Sequence, residues 1–143
     1  MWRPPTTPPE FRFHHAAISV ADMERSLAFY RQFGFTPALD WTAPGGSPRI
    51  CHLKLGDIIL ELFRFAEHQP APDSAARLET DLPRVGSKHF ALQVGSIEEA
   101  KAFVEEKGWA EVTIVDGRTG VRYFFIPDPD GTLLEFVEDR RGL

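Results

Sequence analysis

The sequence repeats itself at an offset of 74 residues, and this repeat limits the available folds more than any other feature. His15-Ala16-Ala17-Ile18-Ser19-Val20 aligns with His89-Phe90-Ala91-Leu92-Gln93-Val94, and Gly56-Asp57-Ile58-Ile59-Leu60-Glu61-Leu62 aligns with Asp130-Gly131-Thr132-Leu133-Leu134-Glu135-Phe136. The same spacing relates Asp22 to Ser96, Phe29 to Phe103, Gly34 to Gly108 and Phe35 to Trp109, with no gap. Similarity at one fixed offset means that a single supersecondary unit has been used twice. Each copy supplies a His early and a Glu late.

The pattern inside each copy reads strand, helix, strand, strand, strand. In the first, residues 11–20 alternate as a strand. Asp22 is the expected N-cap of a helix over 23–33, with Met23, Leu27, Tyr30 and Phe33 at helical spacing. Gly34 closes it, because glycine tolerates the positive φ that ends many helices. Strands follow at 35–41, 49–55 and 58–65, the last two joined by a Gly56-Asp57 hairpin. In the second copy, 88–94 is a strand. Ser96 and Glu99 form a capping box for a helix with Ile97, Ala100, Phe103 and Val104 turned inward, ended by Gly108. Strands are expected at 109–115 and 121–126. Asp128-Pro129-Asp130-Gly131 is turn chemistry, and a last strand carries Glu135. The expected fold class is α+β: two βαβββ modules with curved sheets, which either bury their open faces against each other or form one cleft between them. The organisation is a proline-rich arm at 1–10 (Pro4, Pro5, Pro8, Pro9), a first module at 11–66, a connection at 67–87 with Pro70, Pro72 and Pro83, a second module at 88–138, and a solvated tail at 139–143. The connection is long for a small domain and serves either as a linker or as a lid.

Composition narrows the partners. Sixteen Lys and Arg against 21 Asp and Glu leave a net charge of −5, so there is no electrostatic case for nucleic acid or an anionic membrane. No apolar run approaches the roughly 20 residues of a membrane span, and residues 1–10 have no signal-peptide hydrophobic region. One cysteine, Cys51, excludes an internal disulfide and fits a reducing compartment. A soluble, cytoplasmic, small-molecule protein is expected.

Glu135 sits in an otherwise apolar strand, where burial is costly without a partner. The repeat names its partners. His15, Glu61, His89 and Glu135 lie on four strands that pseudo-symmetry can bring together, and His nitrogen with carboxylate oxygen suits Zn, Ni, Co, Mn or Fe(II). His14 is expected to face away from this set, His68 to be exposed, and Cys51 to lie in the core rather than act as a nucleophile. His52 is a candidate for lining the cleft.

These residues resemble the vicinal oxygen chelate superfamily, which includes glyoxalase I, methylmalonyl-CoA epimerase, extradiol dioxygenases, and fosfomycin- and bleomycin-resistance proteins. The likeness is carried by His14-His15-Ala16-Ala17-Ile18-Ser19-Val20 with Asp22, Phe29-Tyr30 and Gly34-Phe35, by Leu60-Glu61-Leu62-Phe63, by His89 to Val94, and by Asp128-Pro129-Asp130-Gly131 with Leu134-Glu135-Phe136. It implies two paired βαβββ modules whose mixed, curved sheets form a metal-binding cleft, a divalent metal on His15, Glu61, His89 and Glu135, and a homodimer. The complete His/Glu/His/Glu set is most similar to bacterial glyoxalase I. Ser19 and Phe65 stand where glyoxalase I has an Arg and an Asn for glutathione, so the resemblance does not carry a glutathione site over.

The activity expected from this set is that of a glyoxalase I-like, metal-dependent lyase, isomerase or epimerase. It would abstract a proton next to a carbonyl of a small oxygenated substrate, with Glu135 or Glu61 as the base. Arg122, His52, Lys54 and Phe124 are the expected substrate contacts. The metal would be Ni, Co, Zn or Mn. The alternatives are an Fe(II)-dependent dioxygenase of the same superfamily and a non-catalytic, resistance-type binding protein.

Overall fold

The computed structural model describes Met1, Trp2, Thr7 and residues 9–143. The arm prolines Pro4, Pro5 and Pro8 lie outside the described residues. The chain forms two compact units, one of Met1–Met23 with Tyr30–Ala66, the other of Glu24–Phe29 with Glu67–Leu143.

The first unit is a four-stranded mixed sheet. Its strands are β1 (His15–Ser19), β2 (Thr36–Thr42), β3 (Arg49–Leu55) and β4 (Ile58–Arg64), in the order β1-β4-β3-β2. β1 pairs parallel to β4, while β2, β3 and β4 run antiparallel. A parallel pair needs a crossover, and the segment containing helix α1 (Met23–Arg31) supplies it. Gly56, at φ +59°, makes the tight turn between β3 and β4. Cys51 and Leu53 of β3 and Leu60 and Leu62 of β4 are buried together. Fully burying a leucine of this kind is worth about 1.5–3 kcal/mol. Because strand side chains alternate, fixing these four inward turns Ile50, His52, Ile59, Glu61 and Phe63 to the opposite face.

The second unit repeats the design. Its strands are β5 (Phe90–Gln93), β6 (Val115–Asp116), β7 (Arg122–Pro127) and β8 (Leu133–Glu138), in the order β5-β8-β7-β6. β5 pairs parallel to β8, with helix α3 (Ile97–Glu106) in the crossover. Between Ala66 and β5 lies a short helix α2 (Leu78–Asp81). Ile97, Val104, Phe124, Ile126, Leu134 and Phe136 form the buried set, and the rings of Phe124 and Phe136 stack 4.9 Å apart. Ser96 Oγ accepts the Glu99 amide at 3.3 Å, as its capping position implies. A second cap comes from β8: Glu138, only 4% exposed, accepts the Ile97 amide at 2.9 Å. A carboxylate there is favoured by the positive end of the helix dipole. The β7–β8 turn is closed by Asp128, whose Oδ1 accepts the Asp130 and Thr132 amides at 2.9 Å each, and Gly131 takes φ +86°.

Two four-stranded mixed sheets with their helices make an α+β fold, in agreement with the repeat. Several boundaries differ from the sequence reading. α1 ends at Arg31, with a turn before Gly34 at φ +94°. The strand expected at 109–115 is reduced to Val115–Asp116. Side chains of α3 take up the backbone that a sheet neighbour would have used: Lys101 Nζ donates to Val112 O at 2.6 Å, and Glu105 accepts the Val112 amide at 3.4 Å. The connection is not structureless, since it holds a 3-10 turn at Asp73–Ala76 as well as α2. Asp81, 3% exposed, is gripped by Arg84 at 2.8 Å, and that guanidinium first of all holds its carboxyl below the usual range. The tail is partly docked: Arg141 pairs with Asp139 at 2.9 Å and donates to the Thr119 carbonyl at 3.1 Å. Among the described residues, no helix is long and apolar enough to cross a membrane.

Candidate functional site

In the first unit, register decides which side chains meet. Ala17 of β1 and His52 of β3 are the direct neighbours of Glu61 on β4. His15, two residues before Ala17, shares its face and reaches Glu61 diagonally. His15 Nε2 lies 3.5 Å from Glu61 Oε1, and His52 Nε2 lies 2.6 Å from Glu61 Oε2. The Glu61 side chain is 17% exposed. His14 joins this group against expectation. It precedes β1, and its Nδ1 is 2.8 Å from His15 Nδ1, so one ring donates to the other.

The second unit places the repeated pair in the same way. Glu135 is the direct neighbour of Ala91 on β5, and His89 lies two residues before Ala91, just ahead of the strand. His89 Nε2 is 3.0 Å from Glu135 Oε2. The residue across from Glu135 on β7 is Phe125, and the edge of the His89 ring meets it at 4.7 Å, with Tyr123 packed 5.7 Å beyond. Among the described residues, buried His89 Nδ1 has no hydrogen-bond partner.

The structure therefore joins His15 to Glu61 and His89 to Glu135, each pair inside its own unit. Two of the expected substrate contacts are elsewhere. Phe124 is 2% exposed and stacked on Phe136 in the core. The ring beside the second pair is Phe125, which belongs to the opposite parity of the same strand. Arg122 shares the core-facing parity of Phe124. It is bound to Glu98 at 2.6 Å, with Asp116 at 3.6 Å and Glu138 at 3.9 Å. The Arg122 guanidinium lowers the Glu98 carboxyl, and Glu98 in return raises Arg122. This arginine is committed to holding the start of α3. His52 is a partner of Glu61 more than a free contact, and Lys54 is exposed on the His52 face of β3. Cys51 is core, and burial pushes its thiol up to about 11, so it is a poor nucleophile. His68 is exposed.

The profile of the Glyoxalase/Bleomycin resistance protein/Dioxygenase superfamily matches residues 12–136, nearly the whole chain. This chain belongs to that superfamily. The protein YwkD of Bacillus subtilis (strain 168), itself uncharacterized, is 34% identical over 131 residues, covering 87% of this chain and 94% of its own length. The crystal structure of a glyoxalase family protein from Enterococcus faecalis has a TM-score of 0.72 at 31% identity, over 89% of this chain and 97% of that one. The crystal structure of lactoylglutathione lyase from Agrobacterium tumefaciens shares the fold, with a TM-score of 0.65 at 24% identity, over 95% of this chain and 100% of that one.

Superfamily members typically hold a divalent metal. Among the described residues, no group of three or more His, Cys, Asp or Glu side chains is arranged as a metal shell. The donor chemistry nonetheless fits. Each pair sets an imidazole nitrogen against a carboxylate oxygen at 3.0–3.5 Å. Donors bound to one ion at about 2.1 Å stand roughly 3–3.4 Å apart.

Proposed function

We propose that this superfamily member is a metal-dependent lyase, isomerase or epimerase that removes a proton from the carbon next to a carbonyl of a small oxygenated substrate. The observation that carries the reading is the repetition of one His–Glu pair, with the same diagonal geometry, in both units. His15 and Glu61 in one unit, and His89 and Glu135 in the other, would be the metal donors. When bound, a divalent cation supplies Lewis acidity toward the substrate oxygens.

The protein's own residues supply the rest. Glu135 is the general base. Its carboxylate has one imidazole partner and lies beside an aromatic ring that offers it no hydrogen bond, so it can turn toward a substrate carbon. His89 Nε2, 3.0 Å from Glu135 Oε2, faces the same carboxylate and would be its fellow donor to the cation. Phe125 and Tyr123 give this face an apolar wall, which keeps water from a reactive carbon. Lys54, exposed on the face that carries His52, would meet an anionic substituent. The protein acts in the cytoplasm as a homodimer.

Elemental analysis of untagged protein, purified without air or chelators, tests the reading. About one Ni, Co, Zn or Mn per site, lost in His89→Ala, supports it and directs a screen of α-hydroxyketones, hemithioacetals and acyl-CoA epimers. Protein without metal, or metal retained in His89→Ala, would sink it. Iron with oxygen consumption would replace it with the dioxygenase reading.

A further inference from the structure

The first unit carries an imidazole for which the second has no counterpart. His52 stands directly across from Glu61, in the place that Phe125 occupies across from Glu135. Its distance distinguishes it from the other two pairs. The 3.5 Å and 3.0 Å separations of the repeated pairs suit two donors on one ion, whereas 2.6 Å between His52 Nε2 and Glu61 Oε2 is shorter than such an edge. It falls at the short end of charge-assisted hydrogen bonds from nitrogen to a carboxylate, which run at about 2.7–2.9 Å. The side chains are one-quarter exposed at most, so little water competes for the bond.

We propose that His52 is a positioning residue: its Nε2–H donates to Glu61 Oε2, reserving Oε1, the oxygen facing His15, for a divalent cation. The inference rests on the reading of His15 and Glu61 as cation donors. A glutamate side chain has three rotatable bonds and loses up to about 2 kcal/mol of rotamer entropy when it is fixed. With His52 in place that cost is met before a cation arrives. The same bond makes Glu61 one-armed, because the oxygen given to His52 is no longer free to chelate. Among the described residues, Glu135 has no such cross-strand restraint, since Phe125 stands opposite it. The two halves of the repeat thus carry one held carboxylate and one mobile carboxylate, a division of labour that the matching His–Glu spacing conceals.

Two measurements test this. Nitrogen-15 side-chain spectra of the metal-free protein should show His52 as the Nε2–H tautomer, and that proton should remain when zinc is added. An Nδ1–H tautomer would overturn the proposal. Loss of the Nε2 proton on zinc addition would also overturn it, by making His52 a ligand. The Nε2–H tautomer with no zinc uptake by the native protein would reject the cation reading, and with it the role given to Oε1. Zinc affinity is then compared by competition with a chelating indicator. His52→Phe, which copies the second unit, should bind about 10–100-fold more weakly, while His52→Gln, which keeps a donor, should stay within about threefold of the native protein. Unchanged melting of both metal-free variants would separate this loss from unfolding. Equal weakening in both variants, or none in His52→Phe, would refute the positioning role.

Discussion

Glu61 and Glu135 occupy the same place in the repeat and live in different surroundings. Glu61 lies between two imidazoles, one diagonal and one directly across the sheet. Glu135 has one imidazole and, directly across, a phenyl ring. The repeated residues define what the site contains. The residues that are not repeated define which carboxylate is restrained. In a duplicated fold, function is therefore better sought in the broken symmetry than in the preserved symmetry.

The largest expected effect tests this directly. Glu135→Gln should lower turnover by about 10²–10⁴-fold with the fold intact by circular dichroism, since a general base contributes about that much. Glu61→Gln should act mainly through metal affinity, with turnover at saturating metal reduced no more than about tenfold. Equal losses of turnover would erase the proposed difference between the carboxylates. The two faces of β7 offer the next contrast. Phe124→Ala, which removes a fully buried ring, should cost about 3–5 kcal/mol in urea unfolding, and Phe125→Ala should cost clearly less because that ring lines the half-buried face. A smaller and sharper change is Phe125→His, which gives Glu135 the cross-strand imidazole that Glu61 already has. Turnover should fall about tenfold, as the base becomes tied down, while stability holds.

The smallest effect lies on the core side of the first sheet. Cys51 has its thiol raised from 9.0 to about 11, chiefly by burial. Between those values the unfolded chain gives up the proton before the folded one does, so the folded state loses stability as pH rises above 9. Below 9 the thiol has no influence. Unfolding midpoints of the native protein and Cys51→Ala should run parallel up to pH 9 and draw together above it, and the native thiol should resist alkylation at pH 8.

Much of this was legible in the residues because local rules and tertiary contacts agreed. β3 falls at Arg49–Leu55 as read, Ser96 caps α3, and the Asp128 turn forms where its aspartates and glycine stand. The His–Glu pairs followed from one constant offset. What stayed hidden depended on contacts distant in sequence. The region before β6 has strand-like residues, yet Lys101 and Glu105 on α3 capture its backbone. Alternation along β7 separates Phe124 from Phe125 but does not say which parity faces Glu135; that is set by the pairing register across the 128–132 turn. Strand alternation alone points His14 to the opposite face, but it lies just before β1, where no ladder fixes its direction.

β8 carries Glu135 toward one face and Glu138 toward the other, the second seated on the first amide of α3. An insertion of a single residue between Thr132 and Glu135 would exchange the faces of everything that precedes or follows it. An insertion of two would restore the faces but displace Glu135 by about 7 Å along the strand. Length changes in this family member should therefore survive between β2 and β3, at 43–48, and in the 67–87 connection. In β8 they should be lethal, because helix anchorage and the acid–base group are written on alternate sides of one ribbon.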